Sequence, residues 1–137
     1  MEIPVELVRI LITETGESQV IVIQERDGER RFPITIGFFE AAAIDRRLKN
    51  IPIPRPMTHE LLAEIMTSLG GRLDRVVISD LVDGTFIAKL MIEHDGQMLA
   101  IDCRPSDAIA LAVADNTPIT CEDKVLAAAK LPPGEAM

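Results

Sequence analysis

From position 3 to 13 apolar and polar residues alternate, with Val5, Leu7, Ile10 and Ile12 among the apolar positions, which predicts a strand. Thr15-Gly16 supplies a turn, and the Val/Ile-rich run Gln19–Glu25 predicts a second strand. Asp27-Gly28 reads as a hairpin turn because its positive φ is one that glycine adopts freely, so Arg30–Ile36 becomes a third strand. At Gly37 the spacing changes. Phe39, Ala43, Ile44 and Leu48 recur at helical intervals and predict a helix over Phe38–Lys49. Three prolines between Asn50 and Met57 predict an ordered loop. Thr58 is then read as the N-cap of a second helix, with Glu60 in its first turn and Gly70-Gly71 at its end.

The second half repeats this plan. Strands are predicted at Leu73–Ser79, Thr85–Glu93 and Gln97–Asp102, with turns at Asp83-Gly84 and Asp95-Gly96. Pro105 suits a first helical position, so Ser106–Asp115 reads as a helix. Pro118–Cys121 reads as extended and Asp123–Lys130 as helical. Gly16 and Gly28 stand twelve residues apart, as do Gly84 and Gly96, and each pair leads to a helix opening with an acid and Ala, Glu40-Ala41 and Asp107-Ala108. The expected fold is α+β: antiparallel strands in two related three-strand/helix halves, packed with helices into a single compact domain over residues 1–130. Pro132-Pro133-Gly134 falls in a tail, 131–137, that is expected to be disordered.

Composition narrows this picture. Of 137 residues 47% are hydrophobic and 26% charged, the balance of a folded globular domain. With four Phe, no Trp and no Tyr, the core has to be aliphatic. No apolar run approaches the roughly 20 residues of a membrane span. The opening Met-Glu-Ile-Pro-Val-Glu lacks the basic and apolar regions of a secretory signal, so a cytoplasmic domain without membrane contact is expected. Cys103 and Cys121 have neither framework nor metal spacing and read as free buried thiols. The net charge of −8 opposes non-specific nucleic-acid binding, which depends on neutralising phosphates. Residues 26–55 run against that trend, with seven of the fourteen basic residues and only four acids, and offer a positive face or an ordinary solvated one.

Two polar clusters carry the candidate chemistry. Asp102-Cys103-Arg104-Pro105-Ser106-Asp107 lies where a strand hands over to a helix, so free N–H groups and the helix dipole favour an anion there. Arg104 is available to Asp102 or to a phosphate; Ser106 and Asp107 serve a substrate or simply cap the helix. In Arg55-Pro56-Met57-Thr58-His59-Glu60, prolines stiffen the approach. His59 falls at a helix start, where the dipole favours a neutral imidazole suited to act as base or ligand, although an isolated histidine more often makes a structural hydrogen bond. Asp80, Asp83 and Asp102 near strand ends could join Glu40 or Asp107 around a divalent cation. Asp83 precedes a glycine and is first of all a turn residue. His94 reads as solvated.

At these clusters the chain resembles the bifunctional nuclease domain family over roughly residues 3–130. The stretches that carry the resemblance are Pro33-Ile34-Thr35-Ile36-Gly37 with Glu40-Ala41-Ala42-Ala43-Ile44, Arg55 through Leu61, Asp83-Gly84-Thr85-Phe86, and Asp102 through Ala112. Cys103 stands where the family has Ala, and Ala114 and Asn116 where it has a basic residue and Gly. The resemblance implies a self-associating α+β domain, a dimer being favoured, with DNase and RNase activity in some plant members. It maps Glu40, Arg55, Thr58, His59, Asp102, Arg104, Ser106 and Asp107 onto the family's polar signature. On that mapping His59 is general base, while Asp102 and Asp107 activate water or, with Glu40, hold Mg²⁺ or Mn²⁺. Arg55 and Arg104 stabilise phosphate charge, and Thr58 and Ser106 bind DNA or RNA. A non-catalytic oligomeric module binding a small anion, nucleotide or protein partner competes with this reading. A joint catalytic site requires the two clusters to converge on one cleft.

Overall fold

The computed structural model describes residues 1–13 and 18–131; the Thr15-Gly16 turn and the 132–137 tail lie outside the described residues. Strands β1 (Glu2–Leu11), β2 (Ser18–Glu25) and β3 (Arg31–Gly37) form one antiparallel meander, followed by α1 (Phe38–Leu48) and α2 (Thr58–Ser68). A second meander, β4 (Arg72–Val82), β5 (Thr85–His94) and β6 (Gln97–Cys103), leads into α3 (Pro105–Ala114). Strand β7 (Ile119–Glu122) and α4 (Asp123–Ala129) follow. The α+β architecture with two three-strand halves is the one the residue pattern implies.

What joins the halves is β7. This four-residue strand sits at the centre of a seven-stranded sheet of order β3-β2-β1-β7-β4-β5-β6, antiparallel to β1 and parallel to β4. Its buried Ile119 and Cys121 fill the seam. The sheet is therefore mixed.

The turns of the two halves differ. Asp83-Gly84 and Asp95-Gly96 have positive φ at both residues (50° and 80°, 49° and 75°), the geometry that matches a two-residue hairpin to strand twist. Asp27-Gly28 does not follow them. Residues 26–29 form a wider loop closed by the Glu25 N–H donating to the Arg30 carbonyl at 2.9 Å. Gly28 is accommodated there by close approach: a Cβ would lie 2.8 Å from the Glu25 carboxyl carbon, and that carboxylate takes the Arg30 Nε hydrogen bond at 2.7 Å.

In β3, Phe32, Ile34 and Ile36 are buried while the residues between them are more open, as alternation requires. Helix α3 is instead buried nearly all round, from Ala108 through Ala112. Its small residues let it lie between α1, α2 and strands β4 and β5, while α4 packs against β3, β4 and β7. Phe32 stacks on Phe86 of β5 at 5.2 Å, so the sheet curls enough to bring strands from its two halves together around an otherwise aliphatic core. No helix among the described residues is long and apolar enough to cross a membrane.

Candidate functional site

Three helix starts meet on one side of the sheet. Gly37, at the end of β3, is the N-cap of α1 and puts Glu40 in its first turn. The proline-rich loop delivers α2 with Met57 at the N-cap, so Thr58 is the first helical residue and not the cap, and His59 follows it inward. Arg104 caps α3 between β6 and Pro105, which places Ser106 and Asp107 in the first turn.

His59 is buried, and its Nε2 lies 2.9 Å from Asp107 Oδ1. Arg104 donates to the same carboxylate through Nε (3.0 Å to Oδ2) and Nη2 (3.2 Å to Oδ1). Its Nη1 donates to Glu40 Oε1 at 2.9 Å. Asp107 is thus shared by an imidazole and a guanidinium, and Arg104 by two carboxylates. Burial would raise the Asp107 carboxyl, but the hydrogen bonds from Arg104 and His59 outweigh it and hold the group below the usual carboxylate range. Donation to Asp107, ahead of that to Glu40, raises Arg104 above its ordinary value.

Glu40 and Arg104 stand between two cavities and line both. One, of about 550 Å³, lies along Pro33–Gly37 of β3 and reaches Thr85, Phe86 and Ser106. The other, of about 420 Å³, is walled by Phe39, Arg46, Met57, Thr58, His59 and Asp107. Behind the second cavity, Glu60 accepts from Arg46 Nη2 (3.3 Å) and Arg47 Nη1 (3.1 Å), and Arg47 Nε donates to the Ala110 carbonyl at 2.6 Å. These bonds tie α1 and α2 to α3. Burial raises Glu60, yet the two guanidiniums together bring it below its ordinary value.

The structure brings together Glu40, Thr58, His59, Arg104, Ser106 and Asp107 around this double cleft. It does not bring in Asp102 or Arg55. Asp102 is exposed on β6 and is not among the walls of either cavity, and Arg104 turns to Glu40 and Asp107 instead. Arg55 is exposed in the proline loop. Asp80 accepts the Leu81 N–H and pairs with Lys124 at 3.6 Å, Asp83 is a turn residue, and His94 lies 3.2 Å from the Leu69 carbonyl. Among the described residues no three His, Cys, Asp or Glu side chains are grouped as a metal site. Asp102 stands outside the cleft, so Glu40, Asp102 and Asp107 are not gathered into one set for Mg²⁺ or Mn²⁺.

Two further expectations resolve at this site. The basic window 26–55 is mostly neutralised from within: Arg26, Arg30, Arg46, Arg47 and Lys49 all pair with carboxylates. Burial, with Asp107 and Asp102 nearby, pushes the Cys103 thiol up to about 11, and burial pushes Cys121 to about 12, so neither is a ready thiolate. Missed by the reading of the sequence were Arg46, Arg47 and Glu60 as the frame of the second cavity. A signal existed for Arg47, which follows Ala43 and Ile44 at helical spacing on the buried face of α1.

Fold and cleft together define an α+β domain that carries an imidazole, two carboxylates and a guanidinium where three helices start. Known proteins resemble this chain in sequence. The family model for the bifunctional nuclease domain matches residues 21–133, and the chain belongs to that family. It is 38% identical to the uncharacterized protein Rv1829 of Mycobacterium tuberculosis over 127 residues, 93% of this chain and 76% of that one. It is 28% identical to bifunctional nuclease 2 of Oryza sativa subsp. japonica over 112 residues, 79% of this chain. It is 27% identical to bifunctional nuclease 1 of Arabidopsis thaliana over 103 residues, 72% of this chain. The matches cover 34% and 32% of the two plant proteins, so the chain corresponds to about a third of each.

Proposed function

We propose that the double cleft binds a phosphodiester of DNA or RNA and hydrolyses it. The observation that carries this reading is the sharing of Asp107 between His59 and Arg104 at the mouth of the cleft. Ionised Asp107 orients the imidazole and stabilises the imidazolium formed when His59 accepts a proton from water. The water oxygen bonds to phosphorus while the bond to the leaving oxygen breaks, and the imidazolium returns the proton to that alkoxide. Arg104, 63% exposed, trades its contact with Glu40 for the non-bridging phosphate oxygens. Thr58 and Ser106 offer hydroxyls to the sugar-phosphate chain from the two cavities. Asp102 stands outside the cleft, so this route is written through the side chains of the cleft alone.

A specific observation favours a second reading, a binding module without turnover. Arg104 is saturated by two carboxylates in a chain of net charge −8, so a phosphate has to displace one of them. Extensively purified protein incubated with single-stranded and duplex DNA and RNA, with and without EDTA, separates the two. Cleavage that survives EDTA supports the hydrolytic route. Saturable binding without product supports the module, and cleavage abolished by EDTA contradicts the metal-free mechanism.

A further inference from the structure

The sequence holds four Phe and neither Trp nor Tyr, and the fold uses them in two ways. Phe32 and Phe86 stack on one another at the core. Phe38 and Phe39 open α1 at the surface, 46% and 83% exposed. A single exposed apolar side chain is common on a protein surface. Phe39 differs in its place: it lines the cavity whose walls also hold His59, Asp107 and Arg104. Phe38 meets it in a T-shaped pair, with centroids 5.8 Å apart and planes at 80°, and among the described residues no ring is stacked on it. The ring is braced, and a stacking partner can still be added.

The rest of this cavity suits a flat, neutral group. Its volume of about 420 Å³ falls within the ~300–1,000 Å³ of small-ligand sites. Along α1 the wall runs Phe39, Ala42, Ala43 and Arg46, the spacing of one helix face. The two alanines leave a shallow floor between the aromatic end and the cationic one. From the start of α2, Met57 adds a half-exposed thioether, a soft surface that also accepts a π-face. A second phosphate is disfavoured here. Glu40 and Asp107 line the space with carboxylates, and Arg46 already donates to Glu60 at 3.3 Å.

We propose that this cavity seats the base of the nucleotide beside the phosphate held by Arg104, with Phe39 as its stacking face; this rests on the phosphodiester reading of the cleft. Arg104 and His59 share the cavity with Phe39, so base and phosphate belong to one bound stretch of chain. Stacking asks only for an unpaired base with a π-face. Every base is therefore accepted, and purines, with the larger face, bind best.

Fluorescence anisotropy with two short end-labelled oligomers tests this, one of adenine nucleotides and one abasic, equal in length and charge. Both carry phosphorothioate links to slow cleavage. Wild type should bind the adenine oligomer about tenfold more tightly, the scale of one stacked base. Phe39→Leu keeps an apolar side chain and loses the ring. It should bind both oligomers alike, at the abasic affinity of wild type, and Phe39→Trp should restore the preference. Circular dichroism should be unchanged in both variants, since the ring is largely in solvent. A wild type that binds both oligomers equally, or a Phe39→Leu protein that keeps the preference, overturns the stacking role and leaves the phosphodiester reading standing. A wild type that binds neither oligomer overturns both.

Discussion

Asp107 ties three charges together, and its ionisation sets what the site can do. Its carboxyl is held below the ordinary range in the folded chain, so the unfolded chain binds the proton more readily. The stabilisation it contributes is therefore complete above the unfolded carboxylate value of about 3.9 and is lost as pH falls through the lower, folded value. Urea titrations between pH 3 and 7 should show Asp107→Asn flattening the acid limb of the stability curve. An unchanged acid limb would mean that Arg104 and His59 do not hold the carboxylate. Cys103→Ala should leave stability and any cleavage rate nearly unaltered, because a half-buried thiol raised to about 11 is not a nucleophile at neutral pH. His59 and Asp107 were legible separately as polar residues at helix starts. Their contact, across 48 positions of sequence, was not. Asp102 belongs to the same polar run as Arg104 and Asp107 in sequence, at the hand-over from strand to helix. Strand alternation sets it apart: once Cys103 faces inward, Asp102 must face out.

Among the elements, the helix starts depend on a few tight fits. A Cβ on Gly37 would lie 2.5 Å from Glu40 Oε2, so Gly37→Ala should push Glu40 off Arg104 and open the partition between the cavities. Phosphate titrations followed by NMR should then show Arg104 side-chain shifts at lower phosphate than in wild type; equal midpoints would remove Glu40 as the competitor for Arg104. Arg47 joins α1 to the Ala110 carbonyl and to Glu60 from a nearly buried position. Arg47→Ala should cost about 2–4 kcal/mol in chemical denaturation, since it leaves a buried carbonyl and half of Glu60's partners unmet. A loss under about 0.5 kcal/mol would place that frame among ordinary surface contacts. Helical spacing made α1 legible, Val and Ile enrichment marked β2, and Pro105 marked the start of α3, whose burial all round leaves no period of its own. Strand β7 was legible as extended, but its central place in the sheet was not. Strand order depends on long-range pairing, which leaves no period in four residues.

For the whole molecule, charge and surface decide how it meets a partner. Five basic residues of the 26–55 window pair with carboxylates of the chain, so a phosphate at the cleft meets chiefly Arg104, once that side chain gives up a carboxylate. Binding to single-stranded nucleic acid should then show a log K against log salt slope of about −0.7 to −1.4, as for one or two phosphate contacts. A slope several times steeper would reveal a wider basic surface than the ion pairs permit. The central claim is that His59 and Asp107 act as one hydrolytic unit in this cleft. Its most direct measurement is single-turnover cleavage of an end-labelled oligonucleotide by wild type, His59→Gln, Asp107→Asn and the double variant, each purified by the same extended procedure. The account predicts that each single variant cleaves at least about tenfold more slowly, within the range of a general base, and that the double variant is no slower than the singles. Equal rates in all four proteins would contradict it.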